Sequence, residues 1–494
     1  MESDIQNFFR GQTIFITGGT GFIGKVLIEK LLRVCYDLKT IYIIVRPKKG
    51  VSPEERFRKL FDFVCFEKMK KMRPNFFEKI QMIEGDCSQP NLGLSQQVRN
   101  ILINEVTVVV SAAADVRFDQ KLRNAVNSNI RSVGETLNLA KEITNLKALI
   151  YVSTAYWNPS PDCLHEKFYE PVIRAENLFR LVDSLNDETL EVLTPELLKD
   201  KWPNVYTFSK SVAEDLIKRQ AKGLPLAIIR PGIIISSLEE PLPGWIDNLY
   251  GIVGLGAGII LGGIRSIYLK KLNPIHTVPC DYVVNCLLAV TWHLSNNQKC
   301  LTNDPVPIYN FVPERPITAG DYADVAERMK WKSPSGKMFW FPSCSYTENY
   351  YYHKIRIFIF HILLPYIVDI VLTFLGRKPI ATREYRKINK LMDVTSYFCC
   401  TRFQFDSRNV KNLWRSLNTL DRDLFTFDLS NIEWNPYLEN AIRYGNVFMF
   451  KETLDDMPRK KRKLYFLAFL HYTFTAFVCY FIFKMFYSVF SMFL

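Results

Sequence analysis

Short β-rich runs, separated by helix-length segments, dominate the first half of the chain. Six such runs occur before residue 231, at 13–17 (TIFIT), 41–46 (IYIIVR), 80–84 (IQMIE), 106–111 (VTVVVS), 148–153 (ALIYVS) and 226–230 (LAIIR). A helix is predicted between the first two runs, over residues 25–34. Strands covered on both faces are apolar throughout, and parallel strands need long, usually helical, connections. The pattern therefore predicts an α/β fold with a doubly wound parallel sheet.

The pattern changes in the second half of the chain. Residues 197–218 have helical character, and residues 241–263, rich in proline and glycine, predict a loop region on the substrate side of the sheet. Beyond about residue 300 the strand rhythm fades, and a mostly helical domain is expected over 345–452. We therefore expect a sheet domain over 1–300, with substrate loops at 238–275, followed by this helical domain and an apolar segment over 464–494.

The apolar segment 464–494 is long enough to cross a bilayer as a helix. The basic run 459–463 (RKKRK) precedes it, and the positive-inside rule places that end, with the catalytic domain, in the cytosol. A nuclear localisation signal would look similar, but a basic run beside an apolar segment favours a membrane anchor.

A second apolar stretch, 357–376, contains His361, Pro365 and Asp369. If it also spanned, the basic run would lie in the lumen, against the positive-inside rule. An interfacial or protein-packed helix that helps an acyl chain leave the bilayer is favoured, and a second span is the alternative.

Composition narrows the class of protein. The chain has 494 residues, 48% hydrophobic and 23% charged, which is typical of a globular protein. A net charge of +13 could indicate nucleic-acid binding, but no zinc-finger, RRM or helix-turn-helix motif is present, so no nucleic-acid partner is expected. A membrane surface and a phosphorylated ligand explain the charge better. The eleven cysteines show no metal-binding spacing and indicate a reducing, intracellular environment without a metal site, and no secretory signal is visible.

A glycine-rich turn follows the first run. Thr17 leads into Gly18, Gly21 and Gly24, with Phe22 and Ile23 at the start of the predicted helix. Glycines at this spacing allow a tight strand-to-helix turn and let backbone amides approach a pyrophosphate, as in a Rossmann-type dinucleotide site. A P-loop is the alternative, but Val26 stands where Ser or Thr would bind magnesium.

The end of the second run indicates which cofactor binds. Arg46, followed by Lys48 and Lys49, stands where an NAD enzyme usually has an acid, and cations there favour the 2′-phosphate of NADPH. Asp86, after the third run, is either an adenine contact or an ordinary turn residue.

A candidate catalytic set lies further along. Tyr206 and Lys210 are one helical turn apart, and Ser153 and Thr154 end the fifth run. A lysine can lower the pKa of a nearby phenol and bind the nicotinamide ribose, while a hydroxyl orients the substrate oxygen. Tyr350 and Lys354 have the same spacing but lie beyond the sheet region, so a structural role is expected for them.

Longer motifs carry a resemblance to a known family. They include TGGTGFIGKVLIEKLLR from Thr17, YVSTAY from Tyr151, WPNVYTFSKSVAED from Trp202, IIRPGIIISSLEEPLPGWIDN from Ile228 and RKINKLMDVTSYFCCTRFQFDSRNVKNLW from Arg386. The chain resembles the extended short-chain dehydrogenase/reductases and, more narrowly, the eukaryotic fatty acyl-CoA reductases. Two departures are Val110-Ser111-Ala112, where relatives often have histidine, and an altered segment over 156–166.

The resemblance implies NADPH-dependent reduction of long-chain fatty acyl-CoA to a primary alcohol. Tyr206, with Ser153 or Thr154, would stabilise the oxyanion when hydride attacks the thioester; CoA would leave, and a second NADPH would reduce the bound aldehyde. Lys210 would hold the ribose, Thr154 is slightly favoured over Ser153, and Pro231 is expected among the cofactor contacts.

Two other functions remain as alternatives at this point: a membrane-bound sterol or hydroxysteroid dehydrogenase, and a non-enzymatic NADP-binding scaffold. The membrane is expected to be the endoplasmic reticulum, with peroxisome and lipid droplet left open. Acyl-chain preference and oligomeric state are not legible in the sequence.

Overall fold

Seven parallel strands form the central sheet of the structure, a computed structural model that describes residues 2–48, 50–159, 163–199, 201–296 and 306–490. The strands are β1 (Thr13–Thr17), β2 (Thr40–Val45), β3 (Ile80–Glu84), β4 (Val108–Ser111), β5 (Ala148–Val152), β6 (Leu226–Pro231) and β7 (Ile308–Phe311). Their order across the sheet is β7-β6-β5-β4-β1-β2-β3, and every neighbouring pair is parallel. The strand order reverses beside β1, which is where doubly wound sheets bind their ligands.

The predicted fold class is confirmed, and the strand bounds follow the apolar runs closely. All residues of β1, β2 and β4 are buried, which explains why their sequences are apolar on both faces. β7 was missed because a buried polar residue interrupts its apolar pattern. That residue, Asn310, donates to the carbonyls of Leu164 (3.0 Å) and Asp406 (2.8 Å), so its amide is satisfied inside the fold.

Helices connect the strands and make up most of the later chain. They are α1 (Asp4–Phe9), α2 (Phe22–Val34), α3 (Pro53–Leu60), α4 (Glu67–Met72), α5 (Gln96–Glu105), α6 (Leu122–Ala125), α7 (Ser132–Glu142), α8 (Ala175–Ser184), α9 (Asp187–Leu198), α10 (Val205–Gln220), α11 (Gly251–Ile260), α12 (Cys280–Asn296), α13 (Ala319–Lys332), α14 (Tyr350–Ile357), α15 (Leu364–Phe374), α16 (Ala381–Cys400), α17 (Arg408–Ser416), α18 (Thr419–Leu424), α19 (Trp434–Phe450) and α20 (Met457–Phe490). π-helical segments at Val126–Arg131 and Phe358–Leu363 join α6 to α7 and α14 to α15.

Short elements lie outside the main sheet. Parallel ladders pair Cys163–Leu164 with Gln404–Phe405, Ile233–Ile235 with Thr277–Pro279, and Ser266–Tyr268 with Ser345–Thr347. Two further short strands are Pro274–Ile275 and Ile317–Thr318. Single 3₁₀ turns occur at Val64–Phe66, Phe76–Lys79, Pro90–Gly93 and Leu429–Asn431.

The chain forms two compact units that interleave along the sequence. The first comprises Met1–Ile246, Pro274–Ile317 and Thr401–Trp434, and the second comprises Asp247–Asn273, Thr318–Cys400 and Asn435–Leu494. The predicted domains 1–300, 345–452 and 464–494 do not coincide with these units, because each unit combines segments from different parts of the chain. The division of functions among the predicted domains stays a prediction. Their ends at 300 and beyond 490 lie outside the described residues.

Two local predictions need correction. Residues 197–218 are not one helix: α9 ends at Leu198 and α10 starts at Val205, after Asn204, whose side chain accepts a hydrogen bond from the Thr207 amide (2.9 Å). The region 241–263 is not all loop, because its glycine-rich part forms α11.

Two helices of the second unit are long and apolar enough to cross a membrane, Tyr350–Phe374 and Met457–Met485. The start of α20 packs on the protein: Leu464, Leu467 and Ala468 are buried with Met338 and Phe341. Beyond Ala468 most of the described side chains of α20 are exposed.

Candidate active site

The glycine turn between β1 and α2 is packed so closely against backbone that two of its glycines have no room for a side chain. Gly18 has φ +78°, and a Cβ there would lie 2.7 Å from the Ala113 amide nitrogen. A Cβ on Gly24 would lie 2.3 Å from the Gly18 carbonyl oxygen, so this glycine allows the helix to pack on the turn. Gly21 is the N-cap of α2, and no side chain caps the helix. The amides that begin α2, at Phe22 and Ile23, are thus placed to meet an anion.

Two further predicted cofactor residues, Thr17 and Pro231, stand at the ends of β1 and β6. The Thr17 hydroxyl is buried and accepts a hydrogen bond from the Ala113 amide (3.3 Å), which holds the end of β1 against the residues after β4. Pro231 ends β6, and its carbonyl accepts from the Ala155 amide (2.8 Å). Thr17 and Pro231 therefore both lie at the carboxyl edge of the sheet, with β4 and β5 between their strands.

A cationic group follows β2. Arg46 is half exposed, and its guanidinium lies 3.3 Å from the Asp86 carboxylate. Arg56 on α3 donates to the Arg46 carbonyl, and burial together with the neighbouring Arg46 charge lowers the pKa of Arg56. Arg56 was missed because ten residues and a turn separate it from the motif. The backbone of Lys48 pairs with Val51, and the predicted contribution of Lys49 lies outside the described residues.

Asp86 is engaged within its own turn. Its carboxylate accepts from the Ser88 amide (3.0 Å) and hydroxyl (2.8 Å), as well as from Arg46. Partial burial would raise the pKa of Asp86, but the bonds to Ser88 and the Arg46 charge outweigh it and hold the pKa below its ordinary value. These contacts agree with a turn role, and an adenine contact stays a prediction.

The hydroxyls of Ser153 and Thr154 point to different partners. Ser153 donates to the Glu214 carboxylate (2.5 Å) and is buried. Thr154 is also buried and accepts a hydrogen bond from the Tyr156 amide (3.3 Å), and the interaction of its hydroxyl with the Tyr206 phenol lowers the pKa of that phenol. The structure therefore joins Thr154, and not Ser153, to the tyrosine.

Lys210 is buried below the strand that ends in this pair. Its Nζ donates to the Val152 carbonyl (2.8 Å) and the Tyr151 hydroxyl (3.1 Å), and it lies 4.6 Å from the centre of the Tyr151 ring. Burial lowers the pKa of Lys210 to about 7, although the Glu214 charge opposes the change. This lysine is anchored to the sheet.

The expected effect of Lys210 on Tyr206 is wrong for this arrangement. Burial raises the pKa of the Tyr206 phenol above its ordinary value, and the interaction with the Thr154 hydroxyl offsets only part of that rise. The Lys210 amine binds Val152 and Tyr151 instead, and with a pKa of about 7 it carries its charge only about half of the time at pH 7. Tyr206 therefore holds its proton at neutral pH.

A buried ion pair behind the site was not foreseen. Glu214 and Arg230 have side chains 2% and 0% exposed, and the guanidinium donates to the carboxylate at 2.6 and 3.0 Å. Arg230 also lies 4.4 Å from the centre of the Trp157 indole. One signal was available: Glu214 lies one further turn along α10 from Lys210, on the same side as Tyr206.

Two more contacts escaped sequence reasoning. Asn129, in the π-helical segment, is fully buried and donates to Ser209 on α10 (3.0 Å), which ties α10 to the neighbouring helix. Trp245 stacks on Phe22 of the glycine turn, with ring centres 5.4 Å apart. No local pattern predicts either pairing.

The second tyrosine–lysine pair lies elsewhere. Tyr350 and Lys354 are on α14 in the second compact unit, exposed, with the ammonium 5.3 Å from the ring centre. The four residues expected to catalyse, in contrast, all belong to the first unit.

Family comparisons place the chain among reductases. Two family models described as male sterility protein match it, an NAD-binding one over residues 16–287 and a second, sterile, one over 360–452. Among curated proteins, "Fatty acyl-CoA reductase wat" of Drosophila melanogaster is 38% identical over 96% of this chain and 90% of its own length. "Fatty acyl-CoA reductase 2" of Homo sapiens is 32% identical over 96% of this chain and 92% of its own length.

Solved structures support the fold. The terminal R domain of the myxalamid PKS-NRPS biosynthetic pathway has a TM-score of 0.57 and 20% identity, covering 89% of this chain and 91% of that one. The reductase domain of a non-ribosomal peptide synthetase from Mycobacterium tuberculosis has a TM-score of 0.55 and 16% identity, covering 90% and 96%.

Proposed function

The chain belongs to the fatty acyl-CoA reductase family, and on that premise we propose that it uses NADPH to reduce long-chain fatty acyl-CoA to a primary alcohol. CoA is released, and the aldehyde formed first stays bound until it is reduced. The observation that carries the proposal is the grouping at the end of β5, where Lys210 donates to the Val152 carbonyl (2.8 Å) and the Thr154 hydroxyl interacts with a Tyr206 that keeps its proton.

The residues around the glycine turn fit a dinucleotide. No Cβ fits at Gly18 or Gly24, so only glycine allows this tight turn, and the first turn of α2, which no side chain caps, offers amides to a pyrophosphate. Arg46 and Arg56 would bind the 2′-phosphate that distinguishes NADPH. Each of the two reductions would take its hydride from a separate NADPH bound at this site.

Tyr206 and Thr154 would act on the substrate oxygen. Their hydroxyls can donate to the oxyanion that develops when the thioester carbonyl, and later the aldehyde, is reduced. A raised pKa keeps the Tyr206 proton available for donation to the alkoxide, which suits the reductive direction. An oxidative hydroxysteroid dehydrogenase would need the phenolate instead.

Lys210 and Ser153 would act as positioning residues. Lys210 is fixed by Val152 and Tyr151, and from this position it would bind the nicotinamide ribose. The Ser153 hydroxyl donates to Glu214 and so would hold in place the strand end that carries Thr154.

Membrane attachment would be provided by α20, with the reductase on the cytosolic side. The exposed cations Arg459, Arg462 and Lys463 precede its apolar part, as the positive-inside rule requires. Lys460 instead forms a buried ion pair with Glu452 (2.7 Å), so not all of the basic run faces solvent. The endoplasmic reticulum stays the favoured membrane, with peroxisome and lipid droplet as alternatives.

Product analysis tests the reaction. The full chain, purified in detergent with NADPH and palmitoyl-CoA, is expected to yield hexadecanol, with two NADPH oxidised for each CoA released because the reduction needs four electrons. CoA release with free aldehyde and no alcohol would contradict the proposal.

Cofactor choice is tested separately. We expect Arg46→Ala and Arg56→Ala each to raise the KM for NADPH roughly 10- to 100-fold, the loss of one charge-assisted hydrogen bond, with little change for NADH. Arg58→Ala, on the exposed side of α3, is the matched control and should change neither constant. Equal KM values for NADPH in all three variants would contradict the assignment.

A further inference from the structure

The helix Tyr350–Phe374, formed by α14, the π-helical segment and α15, exposes a continuous apolar surface in the second compact unit. Phe358, Tyr366, Ile370 and Phe374 are 58%, 57%, 55% and 87% exposed. Soluble proteins rarely leave such a row of large apolar side chains uncovered. A ligand, a partner or a membrane must cover this surface.

The opposite side of the same helix is bound to the protein through polar side chains. His353 Nδ1 lies 2.9 Å from the Ser266 hydroxyl. His361 accepts from the Arg265 amide (3.0 Å) and lies 2.8 Å from the Asn389 side chain. These histidines are buried, so this side of the helix cannot also face lipid.

Asp369 has a defined structural use within the apolar sequence. Its carboxylate accepts from the Ala381 amide (2.8 Å), the Thr382 amide (2.9 Å) and the Thr382 hydroxyl (2.6 Å). It therefore caps the start of α16, where an acid is favourable. A bilayer-spanning path would carry this carboxylate and its partners into hydrocarbon, which is costly.

The helix shares a structural block with α20. The Arg265 side chain, next to the amide that binds His361, donates to the Phe341 carbonyl (2.8 Å). The Phe341 ring lies 5.5 Å from the His471 ring and 5.6 Å from the Tyr472 ring, both on α20. A bilayer that receives α20 would therefore lie close to the surface of Tyr350–Phe374.

Exposed cations flank the apolar surface. Lys354 lies in its first turns, Arg377 and Lys378 follow its end, and Arg386 is exposed on α16. Such cations favour a surface that carries anionic headgroups. A second copy of the chain would bring the same cations together, so charge favours lipid over self-association.

We propose that Tyr350–Phe374 lies in the interfacial layer of the bilayer that α20 enters, without crossing it. Its apolar side is immersed among the acyl chains, while its polar side stays bound to the protein. This inference rests on the proposed membrane anchoring and is independent of catalysis.

Glycosylation mapping tests the topology in the full chain. One variant carries a polar spacer with an Asn-Gly-Thr acceptor inserted after Lys378, and a second variant carries the same spacer and acceptor beyond Leu494. In microsomes we expect the C-terminal acceptor to be glycosylated and the Lys378 acceptor to stay unmodified. Glycosylation after Lys378 would show that Tyr350–Phe374 crosses the bilayer and would overturn the inference. An unmodified C-terminal acceptor would overturn the proposed anchoring by α20, on which the inference rests.

Depth measurement tests the lipid contact. An environment-sensitive fluorophore is attached to the cysteine of the Ile367→Cys variant, and the full chain is reconstituted into phosphatidylcholine–phosphatidylserine vesicles. Unaltered protein, labelled in the same way, gives the background from the native cysteines. Bromine on the shallow carbons of the lipid chains should quench it, whereas Val192→Cys, exposed on α9, should stay unquenched. An unquenched label at position 367 would overturn the inference and point to a protein partner or a second copy. Neither readout measures turnover, so failure here is distinct from failure of the proposed reaction.

Discussion

Replacing Arg230 by methionine should destabilise the protein strongly. The guanidinium is fully buried, contacts Glu214 at 2.6 and 3.0 Å, and also donates to the Lys167 carbonyl (2.9 Å). Methionine fills part of the volume but leaves the Glu214 charge buried without a counter-ion. Breaking a buried pair in this way costs about 3–5 kcal/mol in the free energy of unfolding.

A matched control lies on the helix that carries Glu214. Lys218 pairs with Glu170 at the same distance, 2.6 Å, but the side chains are 41% and 75% exposed. Water screens this pair, so Lys218→Met should change stability little. The difference in stability between the two variants therefore measures the effect of burying the ion pair.

The thermal midpoint of the full chain in detergent measures the effect. A loss of about 3–5 kcal/mol corresponds to a drop on the order of 5–10 °C for a unit of this size, compared at one scan rate because unfolding of a large chain is often irreversible. If Arg230→Met unfolds at the same temperature as Lys218→Met, the argument from burial is refuted.

Three further predictions concern the site. Gly18→Ala should lower the thermal midpoint and the affinity for NADPH, measured by cofactor titration, more than Gly223→Ala does. Both glycines have positive φ, but only Gly18 lacks room for a Cβ. Equal effects of the two substitutions would contradict this. Burial lowers the pKa of Lys210 to about 7 in the folded protein, so between pH 7 and about 10.5 the unfolded chain binds one more proton at this residue and the folded state gains stability as the pH rises. Lys210→Met removes this gain, so its thermal midpoint should rise less with pH than that of the unaltered protein. Parallel plots of midpoint against pH would contradict this. Thr154→Val should lower kcat roughly 10²-fold or more, whereas Ser153→Ala should mainly lower the midpoint, and the reverse split would reject the assignment of the catalytic hydroxyl.

The sheet was legible because burial acts directly on residue type. β1 and β3 have the predicted bounds, and the buried strands beside them differ from prediction by only one or two residues at their ends. β7 escaped because Asn310 satisfies its amide through distant carbonyls, which no local pattern reveals. The break before α10 was readable in principle, since Asn204 is a good N-cap.

The site was only partly legible for a different reason. Helical spacing placed Tyr206 and Lys210 together, but the direction of the Lys210 ammonium depends on the Val152 carbonyl, which comes from another element. Ser153 and Thr154 are adjacent, so periodicity alone could not separate their roles. Only the position of Glu214 distinguishes them.

Reduction of a single equivalent of palmitoyl-CoA by the full chain with NADPH in excess, comparing the unaltered protein with Tyr206→Phe, tests the central claim most directly. The variant should bind NADPH as tightly but form hexadecanol about 10²- to 10⁴-fold more slowly, because the phenol that donates the proton is gone. Alcohol formation at the unaltered rate would contradict a catalytic Tyr206 and would leave a dinucleotide-binding protein whose chemistry lies elsewhere.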